Sequence, residues 1–407
     1  MSAPLRVAYI VSRFPAASET FVVRELDEVA ADGRIELRLL SLFPSEDGFA
    51  HPRARPWLAR LRRPGWRQAL GATLWWLVRR PLRLLSSAAL IVAATWRRPP
   101  IMIRSLLTLP LAAAHARALA DQDVDHVHAH FASYPTLAAW LCRRLCGTSY
   151  SFTAHAYDLF VEQCMLARKL GDAEFAVTIS AFNRDFLARF QSDPPTPVHI
   201  VHAGLDPSAY EFQPRLPPPS GPARALCVAS LQPKKGHAVL IEALAGEPAL
   251  ERLSLDLVGG GELREPLERL VAAAGVADRV SFHGACDESE VRAMLAAADI
   301  FVLPSIIAAD GQMEGIPVAL MEALACGVPT IATRMSGVPE LIADGETGTL
   351  VEPGDRGALA AALVRVLAGD TPDPARGRRL VEERFDVRES GRRMIGLLLS
   401  ARGSRSR

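Results

Sequence analysis

Short apolar runs alternate with segments of helical periodicity along this chain, and the whole series occurs twice. The first series begins at Leu5–Val11 and ends at His199–His202, and the second begins at Ala225–Ser230 and ends at Pro329–Ala332. Strand–helix alternation of this kind is typical of a parallel sheet with helices on both faces. The sequence therefore predicts an α/β protein with two doubly wound, Rossmann-like sheets.

The boundary between the two series is marked by composition. Residues 203–222 contain six prolines together with Gly, Asp and Ser, which is typical of a linker. We predict a first domain over residues 1–202, a linker over 203–222 and a second domain over 223–377. A C-terminal helix over 378–407 is predicted to cross back to the first domain. Two such sheets facing each other leave a cleft at the carboxyl ends of their strands, where ligands of this fold class bind.

The cysteines and the apolar runs indicate the cellular compartment in which the protein is expected to work. The six cysteines are scattered and match neither a disulfide framework nor a zinc-site spacing. The N-terminus is predicted to be the first strand and not a signal peptide. The longest uncharged run in the arginine-rich region, Leu84–Trp96, has 13 residues, whereas a membrane-spanning helix needs about 20. We therefore expect a cytoplasmic protein without a transmembrane helix.

Two glutamates flank a predicted helix start in the second half of the chain. Glu314 and Glu322 are separated by seven residues, with a Gly and a Pro between them. Eight helical residues rise by about 12 Å, so the carboxylates are spaced to hold opposite ends of an extended ligand. The free amides of Gly315, Ile316 and Val318 would then face an anion between them. A hexose and a ribose joined by a pyrophosphate fit this description, and two unrelated surface glutamates are the alternative.

A lysine pair follows the first strand of the second half. The chain has only three lysines among its 46 cationic residues, and Lys234 and Lys235 are two of them. An ammonium is a compact charge that suits a pyrophosphate leaving group, and a solvated turn is the alternative. The glycine run at 259–261 indicates either close approach of a ligand to the backbone or a tight turn.

Taken in order, these motifs resemble the donor half of the retaining GT-B glycosyltransferases of family 4. The matching residues are Lys235-Gly236, Glu314, Glu322, Gly327-Val328-Pro329-Thr330 and Gly337-Val338-Pro339-Glu340. The resemblance implies two facing Rossmann-like domains. It also implies that Lys235 neutralises the donor diphosphate, that Glu314 holds the transferred sugar and that Glu322 binds the ribose.

The N-terminal half resembles the exopolysaccharide, colanic-acid-like branch of the same family. The segments that carry this likeness are Ser12–Val23, His126–Ala132 and Phe152–Leu159. The resemblance implies that His155 lies beside the reacting sugar and that the leaving phosphate itself accepts the acceptor proton. It further implies a nucleotide-diphosphate sugar as donor, with no metal and no other cofactor.

One position departs from the family pattern. Ser230 precedes Leu231 at a position where the family usually has Arg, so half of the expected cationic clamp on the donor is absent. Either Lys234 or an arginine elsewhere substitutes for it, or the activity is reduced.

The histidines of residues 126–130 alternate, so they share one face of a predicted strand. No carboxylate or cysteine set completes a metal site near them in the sequence. We therefore predict that this strand lines the acceptor side of the cleft and holds no metal.

Residues 51–120 have an unusual composition. They contain 13 arginines, no acidic residue and five of the six tryptophans. Trp66, Leu70, Leu74 and Leu77 form an apolar stripe at helical spacing. Arginine with tryptophan is typical of an interfacial segment that binds anionic lipid, and a helical insertion packed on the first sheet is the alternative. Polar residues and lysines are too few for a nucleic-acid groove. Prolines are predicted to divide this region into short helices, at Pro56, Pro64, Pro81, Pro99, Pro100 and Pro110.

These features lead to one functional expectation. We expect a retaining glycosyltransferase that moves a sugar from a nucleotide-diphosphate sugar to a lipid-linked saccharide acceptor in exopolysaccharide or other cell-surface polysaccharide synthesis. It would lie peripherally on the inner face of the plasma membrane, bound to anionic lipid through residues 51–120. A nucleotide-sugar epimerase of the same fold and a non-catalytic donor-binding subunit are the alternatives.

Overall fold

The structure, a computed structural model, describes residues 3–16, 20–45, 52–218 and 220–401. Within these ranges the chain forms two compact units, leaving the first unit after His202 and returning to it after Asp386. Each unit contains one fully parallel sheet, which confirms the predicted α/β class with two Rossmann-like sheets. Parts of the predicted segments, including one position of the predicted linker, lie outside the described residues, at positions 1–2, 17–19, 46–51, 219 and 402–407.

The first unit is built on a seven-stranded sheet, as far as the described residues show. Its strands are β1 (Leu5–Arg13), β2 (Ile35–Phe43), β3 (Leu61–Arg62), β4 (His126–His130), β5 (Ser149–Ala154), β6 (Ala176–Thr178) and β7 (Val198–Ile200). Their order across the sheet is β3-β2-β1-β4-β5-β6-β7. The helices are α1 (Thr20–Ala31), α2 (Arg55–Leu58), α3 (Trp66–Arg79), α4 (Pro81–Thr95), α5 (Pro99–Asp121), α6 (Tyr134–Cys146), α7 (Tyr157–Phe160), α8 (Leu166–Gly171) and α9 (Ala181–Ala188). β4 and β5 are buried along their whole length, as expected for strands with helices on both faces.

The second unit is built on a six-stranded sheet over its described residues. The strands are β8 (Ala223–Val228), β9 (Leu253–Val258), β10 (Val280–Gly284), β11 (Ile300–Leu303), β12 (Thr330–Thr333) and β13 (Thr349–Val351). Their order is β10-β9-β8-β11-β12-β13. The helices are α10 (His237–Gly246), α11 (Arg264–Ala273), α12 (Glu288–Ala297), α13 (Val318–Cys326), α14 (Arg356–Leu367) and α15 (Pro374–Arg384).

The proline-rich segment 203–222 is part of the second unit and not a free linker. Leu205 forms a β-bridge with Asp386, and the side chains of Leu205 and Tyr210 are buried in the core of the second unit. The prolines limit regular structure here, yet Leu205 and Tyr210 still bury their side chains, while Leu216 is 67% exposed.

The predicted C-terminal helix is in fact two helices. α15 ends at Arg384 in the second unit, and a further helix, α16 (Val387–Ala401), belongs to the first unit. α16 packs on α1 so closely that a Cβ on Gly391 would lie 2.6 Å from the Cβ of Glu28. A glycine is therefore required at this contact.

The arginine-rich region forms longer helices than its prolines predict. Pro81 and Pro99 begin α4 and α5, where a missing N–H costs nothing. Pro110, however, lies inside the 23-residue α5 and does not divide it. Over the described residues, none of the helices is both long enough and apolar enough to cross a membrane.

The apolar stripe of α3 faces solvent. Ala69, Ala72 and Trp76 form the buried face of this helix. Leu70 and Leu74 are 62% and 63% exposed, although a stripe of this spacing ordinarily faces a core. The exposed stripe is a surface of the first unit that the fold itself leaves uncovered.

Candidate functional site

In the first unit, polar side chains cluster on the inner strands of the sheet. His126 and His128 of β4 alternate with residues of the buried core and face the hydroxyls of β5. His126 contacts Ser149 and Ser151 at 2.9 and 2.8 Å, and His128 contacts Ser151 and Thr153 at 2.8 and 3.0 Å. Every ring nitrogen of these two buried histidines is thus hydrogen-bonded, which is what burial of an imidazole requires.

The third histidine of β4 connects α1 to the predicted site residue His155. His130 Nε2 lies 3.1 Å from a carboxylate oxygen of Glu25, and His130 Nδ1 lies 3.4 Å from His155 Nε2. Tyr9 also donates a hydrogen bond of 3.0 Å to Glu25. Burial acts to raise the pKa of Glu25, but His130 and Tyr9 more than offset it, and the pKa is lowered. Glu25 is therefore a carboxylate that accepts two hydrogen bonds.

His155 is neutral at physiological pH. Burial, followed by the neighbouring His130, lowers its pKa to about 3. A neutral His130 that donates through Nε2 to the Glu25 carboxylate accepts at Nδ1, and in that arrangement His155 carries its proton on Nε2. Its Nδ1 then presents a lone pair, and no hydrogen-bond partner for this atom lies within the described ranges.

Aromatic rings and one carboxyl group hold His155 in place. The rings of Phe21 and Phe131 each lie 4.7 Å from the His155 ring, centroid to centroid. Phe131 has a φ of 76°, a left-handed conformation that costs of order 1–3 kcal/mol for such a residue. Asp158 accepts hydrogen bonds from the backbone N–H groups of His155 and Ala132. Burial raises the pKa of Asp158 to about 6.

Glu25, His128 and His130 also present the donor set of a cation site. One ligand atom from each lies within 4.8 Å of the others. The two ring nitrogens of His128 bond to Ser151 and Thr153, and those of His130 bond to Glu25 and His155. The sequence prediction missed Glu25, because this carboxylate is 105 positions away from the histidine that it contacts.

In the second unit, the predicted donor residues come together. Lys235 Nζ lies 2.8 Å from one oxygen of Glu314, and Lys234 Nζ lies 3.1 Å from the other. The Glu314 side chain is only 10% exposed. Burial acts to raise its pKa, but the ammonium groups of Lys235 and Lys234 outweigh burial, and the pKa is lowered. The result is a buried carboxylate clamped between two cations.

The backbone around the lysines is fixed by close packing. Lys234 and Lys235 lie in a 3₁₀ turn that ends at Gly236, which has a φ of 71°. A Cβ at this position would lie 1.9 Å from the carbonyl oxygen of Pro304, so only glycine fits. The carbonyl of Lys234 also accepts a 2.8 Å hydrogen bond from the N–H of Ile306. The loop after β8 and the loop after β11 are therefore held against each other beside the lysines.

The segment between Glu314 and α13 presents unpaired amides. α13 begins at Val318 with Pro317 as its N-cap. Within the described part of the chain, the N–H groups of Gly315, Ile316 and Val318 have no backbone or side-chain acceptor. Such amides, together with the positive end of a helix dipole, suit an anion.

Glu322 is held by a separate contact. It lies on α13 and is partly buried, and its carboxylate accepts a 2.8 Å hydrogen bond from the hydroxyl of Tyr210. Tyr210 comes from the segment predicted to be a linker, so this partner was not foreseen from the sequence.

The glycine run after β9 serves the fold of the neighbouring loop. Cβ atoms on Gly259 and Gly261 would lie 2.0 Å from the carbonyl oxygen of Ala229 and 2.5 Å from that of Leu231. The glycines therefore permit close approach of the loop that carries Ser230. Leu231 donates a 2.9 Å backbone hydrogen bond to Gly260. Close packing of the two loops therefore explains the glycine run, and no bound ligand is needed to explain it.

Two buried polar groups near the lysines have no partner. Neither ring nitrogen of His237, nor the hydroxyl of Ser305, is hydrogen-bonded within the described ranges. Burial, followed by the charge on Lys235, lowers the pKa of His237 to about 4. His237 follows Lys235-Gly236 directly at the start of α10, and this position was the sequence signal that could have identified it.

Two family models match adjoining parts of this chain. The model described as Glycosyltransferase Family 4 matches residues 68–209. The model described as Glycosyl transferases group 1 matches residues 210–384. His155 lies within the first match, and Lys235 and Glu314 lie within the second.

Curated relatives match different shares of the chain. The amylovoran biosynthesis glycosyltransferase AmsK of Erwinia amylovora is 36% identical over 212 residues, which cover 50% of this chain and 51% of the relative. The chain thus matches about half the length of this and similar relatives. The GDP-mannose-dependent alpha-(1-6)-phosphatidylinositol monomannoside mannosyltransferase of Mycolicibacterium smegmatis is 30% identical over 320 residues, covering 71% of this chain and 80% of the relative.

A solved structure shares the fold over nearly the whole chain. Anabaena Alr3699/HepE in complex with UDP and glucose superposes with a TM-score of 0.68 at 16% identity, covering 97% of this chain and all of that protein. At this level of identity the likeness concerns the fold alone.

Proposed function

Since this chain belongs to glycosyltransferase family 4, we propose that it is a retaining enzyme acting on a nucleoside-diphosphate sugar and a lipid-linked saccharide. The product would be part of an exopolysaccharide or another cell-surface polysaccharide. The observation that carries the proposal is the buried Glu314 carboxylate clamped between Lys234 and Lys235. The amylovoran relative supports a polysaccharide product, and the phosphatidylinositol monomannoside relative supports an acceptor attached to lipid.

The donor site follows from the charges of the second unit. Lys235 neutralises the diphosphate, whose negative charge grows as the bond to the sugar breaks. Glu314 accepts hydrogen bonds from hydroxyls of the transferred sugar, and the amides of Gly315, Ile316 and Val318 bind the phosphate oxygens. Glu322 binds the ribose.

Lys234 takes the place of the arginine that Ser230 replaces. Its ammonium contacts the same carboxylate as that of Lys235, at 3.1 Å against 2.8 Å. Two lysines and one glutamate leave one net positive charge for the donor. The clamp therefore has two cations without an arginine at position 230.

The transfer step needs no dedicated base in this proposal. The leaving phosphate oxygen takes the proton of the acceptor hydroxyl while that hydroxyl attacks the same face of the sugar, so the configuration is retained. His155, neutral and with a lone pair on Nδ1, contributes a hydrogen-bond acceptor for a hydroxyl of the sugar.

A pocket of about 440 Å³ in the first unit is our candidate for the acceptor. It lies at the carboxyl ends of β1 and β2 and is lined by Arg13, Arg104, Tyr134, Tyr157 and Glu162, among others. Glu162 binds both Arg104, at 3.1 Å, and the hydroxyl of Tyr134, at 2.6 Å. Arginine and tyrosine side chains suit a saccharide joined to a phosphate.

The direct test supplies labelled nucleotide sugars with and without acceptor lipids extracted from a polysaccharide-producing bacterium. Transfer of label to the lipid fraction, undiminished by EDTA because the lysines supply the positive charge, is the expected result. Isomerisation of the donor without acceptor would favour the epimerase, and donor binding without transfer across the panel would favour a non-catalytic subunit.

Glu322→Ala is expected to weaken donor binding with little change in turnover at saturating donor. The ribose that it binds does not change charge in the reaction, so its contribution is equal in the ground and transition states. Losing hydrogen bonds to a charged group costs about 1.5–3 kcal/mol, or roughly tenfold to 150-fold in the donor Kd, measured by calorimetry. Tyr210→Phe, which removes the hydroxyl that contacts Glu322, is the matched control. An unchanged Kd in Glu322→Ala would contradict the ribose role.

The arginine-rich region supports association with a membrane surface. Most of the exposed large apolar side chains of the described residues lie between Leu58 and Leu107, and Leu82 reaches 82% exposure. Exposed arginines such as Arg80 and Arg98 surround them. We propose that this surface docks on the anionic inner face of the plasma membrane, where lipid-linked acceptors are found.

The triple variant Leu70→Gln, Leu74→Gln, Leu82→Gln is expected to lose binding to anionic vesicles in sedimentation. These side chains are at least 62% exposed. Burying each of them in the membrane contributes about 1.5–3 kcal/mol of binding free energy, so the affinity of the triple variant for vesicles should fall by roughly 100-fold or more. The matched control is Leu216→Gln with Ile307→Gln, which are similarly exposed in the second unit. Equal binding by both variants would remove the membrane from the proposal and leave sugar transfer untouched.

A further inference from the structure

A second cavity of the first unit is lined by none of the candidate site residues. It has a volume of about 1060 Å³ and lies at the β3–β2 end of the sheet. Its walls are β2, residues 60–64, the first half of α3 and the last turns of α5. The volume is large enough for a ligand of several hundred daltons.

Arginines dominate the charge of this cavity. The charged residues in its lining are five arginines and a single acid, namely Arg38, Arg60, Arg62, Arg63, Arg117 and Asp121. Guanidinium groups are well suited to phosphate, because their planar array of donors matches two phosphate oxygens at once. The cavity therefore has the charge and the donor type of a phosphate-binding site.

Most of these arginines are available to a ligand. No ion-pair partner of Arg62 or Arg63 lies within the described residues, and both side chains are exposed. Arg60 and Arg117 stack on the rings of Trp57 and Trp75, at 5.4 and 5.2 Å. Stacking uses the face of a guanidinium and leaves its N–H edge free to donate.

Among the five arginines of the cavity, Arg38 already forms polar contacts with neighbouring side chains. It pairs with Glu36 at 3.1 Å and also donates to Gln122. Counting Glu36 and Asp121 against the five arginines leaves three net positive charges at the cavity.

The remaining lining is apolar. Leu40, Ala72 and Leu119 are buried residues that contribute to the walls. The same helix that supplies Ala72 exposes Leu70 and Leu74 to solvent. A ligand that matches this cavity is thus an amphiphile, with a phosphate group for the arginines and a hydrocarbon part for the walls.

We propose that this cavity binds the phosphodiester headgroup of an anionic phospholipid. The inference deepens the proposed membrane association, because it assigns to the docking surface a site for a single lipid molecule. It does not depend on catalysis, and binding to a soluble lipid tests it separately from sugar transfer and from adsorption to vesicles.

The test titrates the full chain with dihexanoyl phosphatidylglycerol below its micelle concentration, by calorimetry at 0.15 M salt. The variant Arg62→Glu, Arg63→Glu places two acidic groups in the cavity without touching a buried residue. The matched control Arg184→Glu, Arg189→Glu makes the same charge change on exposed arginines of the first unit that lie outside the arginine-rich region and do not line the cavity. We expect at least a tenfold loss of affinity in the cavity variant and little change in the control.

Three outcomes would overturn the proposal. Equal losses in the two variants would indicate general electrostatic attraction, since no defined site would then be involved. Equal binding of dihexanoyl phosphatidylcholine would show that the negative charge is irrelevant. Equal affinity for inorganic phosphate would make the cavity a site for a free anion and not for a lipid.

Discussion

Glu314→Gln is expected to lower kcat by about 100-fold to 1,000-fold without weakening donor binding. The carboxylate acts on the sugar where charge develops, and removing one preorganised electrostatic contact of this kind costs about 2.7–4 kcal/mol in the barrier. Its loss also frees Lys234 and Lys235, which it now holds at 3.1 and 2.8 Å. Two unpaired ammonium groups attract the donor diphosphate at least as strongly as before, so turnover and affinity should change independently.

Lys235→Ala distinguishes this mechanism from simple donor binding. The ammonium stabilises the diphosphate more as the sugar leaves, because the leaving group then carries more charge. We expect kcat to fall by more than the donor affinity, whereas in Glu314→Gln the affinity is retained. Single-turnover rates and calorimetric Kd values for both variants separate the two effects.

The control for both variants is Glu346→Gln, an exposed glutamate of the same unit. It should keep the rate and the donor affinity of the parent. Near-parental kcat in both Glu314→Gln and Lys235→Ala would reject the donor site. Because the pKa of Glu314 is lowered from its ordinary value by the two ammonium groups, the carboxylate is ionised at neutral pH, and its role should not titrate between pH 6 and 9.

Local sequence pattern was sufficient to predict the parallel sheets, and it singled out Lys235 and Glu314 as candidates whose donor roles stay a proposal. A strand buried on both faces is a continuous apolar run, so β1 and β8 can be recognised without knowledge of the rest of the fold. Lys235 and Glu314 lie in loops that follow neighbouring strands, β8 and β11. Loops at the carboxyl ends of adjacent parallel strands meet at one edge of the sheet, which explains why Lys235 and Glu314 lie in contact, although the sequence analysis did not predict this ion pair.

Contacts between distant segments could not be predicted in this way. Tyr210 reaches Glu322 from a proline-rich segment whose composition indicates a linker. Composition reports what prevents regular structure, but not where the remaining apolar side chains are buried. Pro110 likewise lies inside α5, although proline ordinarily ends a helix.

Helical periodicity indicated α3, but it left open whether the apolar stripe faces solvent, as in an interfacial segment, or packs on the first sheet. Leu70 and Leu74 have the spacing of core residues, yet the smaller Ala69 and Ala72 are the ones that pack inward. Small residues let the helix approach its neighbour closely, and the larger side chains are left on the outside. The choice between the two faces depends on the shape of the neighbouring helices, which the local sequence does not contain.

Glu25→Gln is expected to reduce kcat by about tenfold to 100-fold by reversing the hydrogen bonds that orient His155. When a neutral His130 donates through Nε2 to the carboxylate, its Nδ1 accepts from His155 Nε2, and these contacts are 3.1 and 3.4 Å long. A glutamine amide can instead donate to His130 Nε2, which selects the tautomer of His130 with its proton on Nδ1. His130 Nδ1 then donates to His155 Nε2, and the proton of His155 lies on Nδ1. The lone pair that we assign to the sugar hydroxyl is lost, and leaving a buried hydroxyl without its acceptor costs about 1–3 kcal/mol.

Nitrogen NMR of the His155 ring measures which ring nitrogen carries the proton. A general loss of structure would not shift this proton specifically from Nε2 to Nδ1. The parent should show the Nε2–H tautomer and Glu25→Gln the Nδ1–H tautomer, each neutral from pH 5 to 9 because burial lowers the pKa of His155 to about 3. Tyr9→Phe removes a 3.0 Å hydrogen bond to Glu25 but keeps the carboxylate, so it should retain the parental tautomer and most of the turnover. If Glu25→Gln keeps both the parental tautomer and the parental rate, then Glu25 does not orient His155. If the tautomer changes while the rate does not, the hydrogen-bond chain exists but His155 has no part in sugar transfer, because a lone pair essential to the reaction cannot be removed without slowing it.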